Sequence, residues 1–154
     1  APEVYGKLGC DMVKIGMDTR KKNRLDAPRG NDSTPILFQA FRKPSLLQLS
    51  KLIGPDGWPM MQLTATGKGP QPGILEDIKT YAWGISPEKH DATREMTTRA
   101  HALGLKVIAY TFSAQDLGDF RSVGEQMRHW LYDNDIDGLF TNNPDQFPRQ
   151  NKTN

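Results

Sequence analysis

Two stretches near the end of the chain decide the fold class: Gly104-Leu-Lys-Val-Ile-Ala-Tyr110-Thr-Phe112 and Ile136-Asp-Gly-Leu-Phe-Thr141. After its glycine the first is rich in β-branched and aromatic residues, and the second is a short run of similar kind, so each predicts a strand. Between them, apolar residues recur at helical spacing, namely Val123, Met127, Trp130 and Leu131. Strand, helix and strand in succession indicate a βαβ unit with parallel strands.

The same alternation extends towards the start of the chain. Further strands are predicted over residues 36–41, 60–65 and 82–86, and helices over 45–53, 74–78 and 92–103. The first of these helices opens with Ser45-x-x-Gln48, the pattern of a capping box. A short helix at 10–15 and a polar, basic loop running to residue 34 come before them. Five strands, each joined to the next by a helix, predict an α/β fold with a parallel sheet.

Two architectures accommodate five such units. One is an open, flavodoxin-like sheet, and the other is part of an eight-stranded TIM (β/α)8 barrel. No glycine-rich phosphate loop joins a strand to a helix, because Gly67-Lys-Gly69 lacks the further glycine that such a loop needs. Periodicity alone leaves both architectures open.

Length and composition limit the classes of protein to consider. We expect residues 1–154 to form a single domain, and a net charge of +2 is too small to predict nucleic-acid binding. No apolar run approaches the roughly 20 residues that a membrane span needs. The single cysteine, Cys10, excludes an internal disulfide and is predicted to be a small buried residue on a helix.

Three features bear on the chain's setting. The basic stretch Arg20-Lys-Lys-Asn-Arg24, with Arg29 nearby, predicts a solvated loop, or else a patch that steers an anionic substrate. Asn31-Asp-Ser33 and Asn151-Lys-Thr153 match the N-glycosylation acceptor pattern and weakly favour a secreted or periplasmic location. The first residue is not Met, so a processing site or a truncation is expected at Ala1.

Six segments, in order along the chain, together resemble one enzyme family. They are Ala1-Pro-Glu-Val-Tyr5, Phe38-Gln-Ala-Phe41, Met61-Gln-Leu63, Gly84-Ile-Ser-Pro87, Val107-Ile-Ala-Tyr110-Thr-Phe112 and Asp137-Gly-Leu-Phe-Thr141 with Pro144-Asp145. The chain resembles the glycerophosphodiester phosphodiesterases of the bacterial periplasmic type, over their C-terminal portion only. The resemblance implies a partial TIM barrel with about five of its eight βα units.

The resemblance also implies an activity and a division of labour. The family hydrolyses glycerophosphodiesters to glycerol 3-phosphate and an alcohol, in lipid and glycerol metabolism, with a divalent cation (calcium or magnesium) and two histidines. Its His-Arg-Gly strand and Glu-x-Asp ligands have no counterpart in these 154 residues. We therefore expect no catalytic residue and no metal ligand here, no cation bound by this chain alone, and little turnover by the chain as an isolated protein.

What this chain is expected to supply is the substrate-facing wall. Polar and aromatic residues close the predicted strands, and the candidates for holding the glycerophosphodiester are Gln39, Phe41, Gln62, Tyr110 and Phe112. For the two phenylalanines, a place in the core is the competing interpretation. Lys89 could reach a phosphate as a point charge, although an exposed loop lysine is the commoner outcome.

The remaining chemistry-bearing residues point away from catalysis. His90, His101 and His129 lie in or beside predicted helices rather than at strand ends, so they are expected to be surface or packing residues. Two positions depart from the family pattern: Asn142 stands where an aspartate is usual, and Trp83 where a small acidic residue is common.

A hypothesis of a different class remains. The chain is then a non-catalytic module derived from the barrel, which pairs with the missing N-terminal part or with a second copy. Missing strands leave sheet edges with unpaired backbone groups, and such edges favour association.

Overall fold

The computed structural model describes residues 2–23, 25, 36–53, 57–68 and 71–149. Its helices and strands, in chain order, are α1 (Pro2–Lys7), α2 (Met12–Lys22), β1 (Phe38–Ala40), α3 (Lys43–Ile53), β2 (Met60–Thr64), α4 (Ile74–Lys79), β3 (Gly84–Pro87), α5 (Arg94–Ala102), β4 (Lys106–Phe112), α6 (Val123–Arg128) and β5 (Gly138–Thr141). Helix α6 continues into a π-helical turn (His129–Asp133), and short 3₁₀ turns cover Lys89–Asp91 and Pro144–Gln146.

The five strands form one parallel sheet in the order β1-β2-β3-β4-β5. In a barrel, neighbouring strands follow one another in chain order, as they do here. A flavodoxin-like sheet has the strand order 2-1-3-4-5 instead. The sheet curls into a half-barrel with helices outside. The prediction of a partial TIM barrel is confirmed, and the open-sheet alternative is wrong.

The main hydrophobic core lies between the outer face of the sheet and the helices. The strands contribute Ile85, Val107, Ala109 and Phe112, all of which are fully buried. They pack against buried apolar residues of the helices, namely Leu75, Ile78, Met96, Ala100, Val123 and Met127. Because these side chains take the outward positions, the alternate residues of each strand are left for the concave face.

Capping side chains set the starts of three helices. Asp11, Thr93 and Ser122 accept hydrogen bonds from the backbone N–H groups of Lys14, Met96 and Glu125, at 3.0, 3.2 and 3.1 Å. Helix α5 ends before Gly104, whose φ of +77° is the left-handed conformation that favours glycine at this position.

The predicted capping box at Ser45 is not formed. Helix α3 begins two residues earlier, at Lys43, and Ser45 is buried inside its first turn. The amide of Gln48 donates instead to the Asp11 carboxylate at 3.2 Å, which joins α3 to the start of α2. Gln48 thus bonds to a residue 37 positions away in the sequence instead of to the backbone of Ser45.

The amino-terminal region is more helical than predicted. Helix α2 continues through Lys22, so Arg20, Lys21 and Lys22 are helical rather than part of a loop. Cys10 precedes this helix and is exposed, so the prediction of a buried helical cysteine is wrong. Arg24, Arg29 and both glycosylation acceptor patterns lie outside the described residues. In the part of the chain that the structure describes, no helix is long and apolar enough to cross a membrane.

Candidate functional site

The carboxyl ends of the strands open onto a groove on the concave face of the sheet. This concave groove has a volume of about 430 Å³ and is lined by Gln39, Phe41, Leu63, Tyr110, Thr111, Phe140, Thr141 and Asn142. The lining residues come from β1, β2, β4 and β5 and from the residues directly after β1 and β5. In barrels of this type the chemistry takes place at this end of the strands.

Tyr110 lines the groove and is held in place by a hydrogen bond and a ring contact. Its hydroxyl donates to the carbonyl oxygen of Thr64 at 2.7 Å, which ties β4 to the end of β2. Its ring meets Phe41 edge-on, with centroids 6.0 Å apart and planes at 89°. Partial burial, with smaller contributions from Glu88 and Asp91, raises the pKa of Tyr110 above its ordinary value of 10.0. The hydroxyl therefore stays protonated near neutral pH and acts as a neutral donor.

The polar end of the groove follows β5. The backbone N–H of Asn142 donates to the Phe112 carbonyl at 2.9 Å, and that of Asn143 donates to the Thr141 hydroxyl at 2.9 Å. The side-chain oxygen of Asn143 accepts from the Ala114 N–H at 2.9 Å, so both sides of this loop are held. The Asn142 amide, where an acidic residue was expected, thus lies at the groove on an anchored backbone.

Acidic residues after β3 form a second feature of the carboxyl edge. Glu88 accepts from the His90 N–H at 3.0 Å and lies 3.1 Å from the His90 ring nitrogen Nδ1. The Asp91 carboxylate accepts from the Gly67 N–H at 2.6 Å and fixes the loop after β2. Sequence reasoning set Glu88 aside as a residue without a partner carboxylate at a second strand end, and it did not single out Asp91. His90 itself is exposed and lies in the 3₁₀ turn Lys89–Asp91, in keeping with the expectation of a surface residue.

Comparison with known proteins places this geometry in context. No protein-family model matches the chain. It is 30% identical over 127 residues to the glycerophosphodiester phosphodiesterase of Bacillus subtilis (strain 168), an alignment that covers 80% of this chain and 39% of the relative. The chain is similar to part of a glycerophosphodiester phosphodiesterase. The resemblance expected from its sequence motifs is confirmed.

Two solved structures share the fold. A Silicibacter pomeroyi DSS-3 protein, assigned as a glycerophosphoryl diester phosphodiesterase, matches with a TM-score of 0.64 and 19% identity, over 90% of this chain and 41% of that one. An Oleispira antarctica phosphodiesterase in complex with the product sn-glycerol-3-phosphate matches with a TM-score of 0.63 and 17% identity, over 87% and 46%. The chain thus spans about two fifths of the length of these relatives.

The predicted substrate residues separate into two groups. Gln39, Phe41 and Tyr110 meet at the concave groove. Gln62 lies on the outer side, where its amide donates to the carbonyls of Ala40, Phe41 and Leu63 and accepts from the Tyr81 hydroxyl at 2.9 Å. It holds the end of β1 in place instead of lining the groove.

Phe112 belongs to the core. Its side chain is fully buried and meets Trp130 edge-on, with ring centroids 5.5 Å apart. The β4–β5 register shifts between Ala109 and Phe112, so Phe112 turns to the outer face. This position agrees with the competing interpretation, that Phe112 is a core aromatic.

Lys89 is buried, so the expectation of an exposed loop lysine is wrong. Its side chain is 1% exposed, and its ammonium contacts the Asp116 carboxylate at 2.7 Å and donates to the Asp116 carbonyl at 2.9 Å. Trp130 donates to the Lys89 carbonyl at 2.6 Å. The hydrogen bond and charge of Lys89 lower the pKa of Asp116. Lys89 thus ties the loop after β3 to the loop after β4.

The other two histidines lie on helices and bind carboxylates. His101 contacts Asp137 at 2.8 Å, and His129 contacts Asp133 at 2.7 Å. Both are partly exposed and lie away from the concave groove. Among the described residues, no group of three or more His, Cys, Asp or Glu side chains is placed to hold a metal ion.

Proposed function

We propose that the chain forms the C-terminal wall of a glycerophosphodiester phosphodiesterase barrel, and that its concave groove holds the glycerol part of the substrate. One observation carries the proposal: an amphipathic groove lies at the carboxyl edge of a curled parallel sheet that is similar to part of these enzymes. The reaction is then hydrolysis of a glycerophosphodiester to glycerol 3-phosphate and an alcohol.

The groove residues divide into polar and apolar roles. The amides of Gln39 and Asn142 and the hydroxyl of Thr141 can exchange hydrogen bonds with glycerol hydroxyls. Phe41, Tyr110 and Phe140 exclude water from the same space. Such a mixture binds a small polyol through a few placed hydrogen bonds and a dry apolar lining.

The divalent cation implied by the family is not assigned to this chain. A hard cation needs several converging oxygen ligands, whereas Asp91, Asp116 and Asp137 form separate pairs with an N–H group, a lysine and a histidine. When bound in the family, the cation supplies Lewis-acid stabilisation of the phosphate. The present residues position the substrate, and we assign no step through the metal to them.

We therefore expect the isolated chain to show little or no turnover. The acid–base histidines and cation ligands implied by the resemblance have no counterpart in its sequence, and each such effect is worth several kcal/mol of barrier. The test is release of glycerol 3-phosphate from glycerophosphocholine, with calcium, with magnesium and with a chelator. Clear turnover that depends on the metal would contradict this expectation.

A second candidate function is association through the open margins of the sheet. Within the described residues, β1 pairs only with β2 and β5 only with β4. Helices α1 and α2 and the turn between them expose a set of large apolar side chains, namely Val4, Tyr5, Leu8, Met12 and Ile15. These features suit docking of further βα units of the barrel, or of a second copy. Sedimentation at several concentrations separates the two, because only a second copy makes the mass concentration-dependent.

A further inference from the structure

The edge of the sheet opposite the concave groove carries large apolar side chains in contact with solvent. This amino edge consists of the residues at which strands begin, 58–60, 83–84 and 105–106, together with the helix ends that lead into them. Trp83 is 44% exposed, Leu52 in the last turn of α3 is 52% exposed, and Trp58 is partly exposed. The two tryptophans line a cavity of about 280 Å³. The proposed function assigns this edge no role.

Helices end at the amino edge because each one returns the chain to the start of the next strand. Residues 80–83 link α4 to β3 and residues 103–105 link α5 to β4, so neither helix ends far from this edge. Residues 54–59 connect α3 to β2 in the same way. For α2 a contact gives the position, because the Arg20 guanidinium lies 5.7 Å from the centre of the Trp58 ring.

The amino edge is positively charged. The last turns of α2, α3, α4 and α5 carry basic residues, namely Arg20, Lys21, Lys22, Lys51, Lys79 and Arg99. The four lysines are exposed, and none of them forms an ion pair with another residue that the structure describes. Asp137, a carboxylate at the same edge, is already paired with Lys106 and His101.

The combination of lysines with exposed tryptophan and leucine points to a lipid surface. Lysines alone at helix ends are common, because they complement the helix dipole. Tryptophan, however, favours the boundary between lipid headgroups and acyl chains, since its ring is apolar and its N–H is polar. Basic residues beside such a ring attract anionic headgroups. A soluble polyanion would use the charges but would give Trp83 and Leu52 no apolar contact.

We propose that the amino edge docks onto a membrane surface that contains anionic phospholipid. Trp83 and Leu52 enter the headgroup region, and Lys51 and Lys79 bind lipid phosphates. The concave groove then faces the water phase, because it lies at the opposite ends of the strands. The proposal does not rest on the proposed function, since no residue of the groove takes part in it.

Co-sedimentation of the full chain with phospholipid vesicles tests the proposal. Vesicles of phosphatidylglycerol and phosphatidylcholine in equal parts are expected to bind the chain, and vesicles of phosphatidylcholine alone to bind it far less. Added salt should weaken the binding, because it screens exposed charges. No binding to the anionic vesicles, or equal binding to both kinds, would overturn the proposal.

Paired charge variants test the position of the surface. Lys51→Gln combined with Lys79→Gln is expected to lower the partition coefficient onto anionic vesicles by about 25-fold, at about fivefold for each lysine near a membrane. Lys68→Gln combined with Arg121→Gln removes the same charge from exposed residues at the carboxyl side, after β2 and before α6, and should bind as the wild type does. Equal weakening by both pairs would mean attraction through net charge alone and would contradict the proposal.

Insertion of the apolar residues supplies a readout that net charge does not affect. Trp83→Ala and Leu52→Ser are each expected to weaken vesicle binding by about tenfold, because less apolar surface leaves water. Phospholipids brominated on their acyl chains should quench the tryptophan fluorescence of the wild type and quench that of Trp83→Phe less. Thermal unfolding without vesicles shows whether each variant keeps its fold. Binding without quenching would indicate a surface for polyanions of any kind and would overturn the proposal.

Discussion

At the scale of single residues, Asp137 joins three elements at the amino-terminal side of the sheet. Its carboxylate, one-fifth exposed, accepts from Lys106 at 2.7 Å, from the Val107 N–H at 2.8 Å and contacts His101 at 2.8 Å. Partial burial alone would raise the pKa of Asp137. The hydrogen bonds from Lys106, Val107 and His101 outweigh that effect and hold the pKa below its ordinary value of 3.8.

Asp137→Asn is expected to lower the free energy of unfolding by about 1–3 kcal/mol at pH 7. Because the folded state depresses the pKa of Asp137, its contribution is fully present above pH 4 and is lost as the pH falls through the folded value. Urea unfolding at pH 7, 5 and 3 should therefore show the gap between wild type and variant closing only at the most acidic point.

Asp133→Asn is the matched control for that series. Asp133 is exposed and binds His129 at the surface, so its loss is expected to cost no more than about 0.5 kcal/mol. A gap for Asp137→Asn that stays constant from pH 7 to pH 3 would contradict the account.

Residue positions were predictable where the period of a strand fixes them. Gln39 and Tyr110 lie within β1 and β4, and both line the concave groove. Gln62 and Lys89 could not be placed from sequence, because their partners, Tyr81 and Asp116, lie 19 and 27 positions away. Phe112 packs in the core because the β4–β5 register shifts between Ala109 and Phe112. No local sequence pattern indicates this shift.

At the scale of elements, close strand packing depends on Gly84 in β3. A Cβ at this position would lie 2.7 Å from the Sδ atom of Met61 and closer still to the Lys106 carbonyl oxygen. The carbonyl oxygen belongs to the backbone of β4, which is paired with β3, so it does not move without disturbing the sheet. A glycine in this strand therefore marks a close approach of backbone.

Gly84→Ala is expected to destabilise the chain by about 1–3 kcal/mol through overpacking. Gly16, in the middle of α2, has nothing within 4 Å of the same added atom. Gly16→Ala should stabilise by about 0.5–1 kcal/mol, because alanine favours a helix. Chemical denaturation of both variants checks the pair. Equal effects, or a stable Gly84→Ala, would mean that β3 and β4 are not as close as described.

Elements were predicted well where their patterns are local, as for β4 and for α5, which stops before Gly104. They were predicted less well where tertiary contacts decide. Helix α3 begins at Lys43, with Ser45 buried in its first turn and Gln48 bonded to Asp11. None of this is visible in the capping-box pattern.

At the scale of the whole molecule, strand order and curvature follow from the repeated βα unit. Each strand lies beside the one that precedes it in the chain, so all five carboxyl ends meet at one edge. The alternation of predicted strands and helices indicated the number of βα units. It did not show whether the sheet curls into a barrel, because an open sheet and a barrel segment have the same alternation. The family motifs decided between them, and the comparison with the Bacillus subtilis relative agrees.

The central claim is that the carboxyl edge of this half-barrel is a substrate-binding wall. Backbone amide shifts of the ¹⁵N-labelled chain, measured during titration with glycerol 3-phosphate, test it most directly. We expect saturable shifts at Gln39, Phe41, Tyr110 and Asn142, and none at Trp58 and Trp83 at the opposite end of the strands. Shifts confined to that opposite end, or no saturable shift at the concave groove, would contradict the claim.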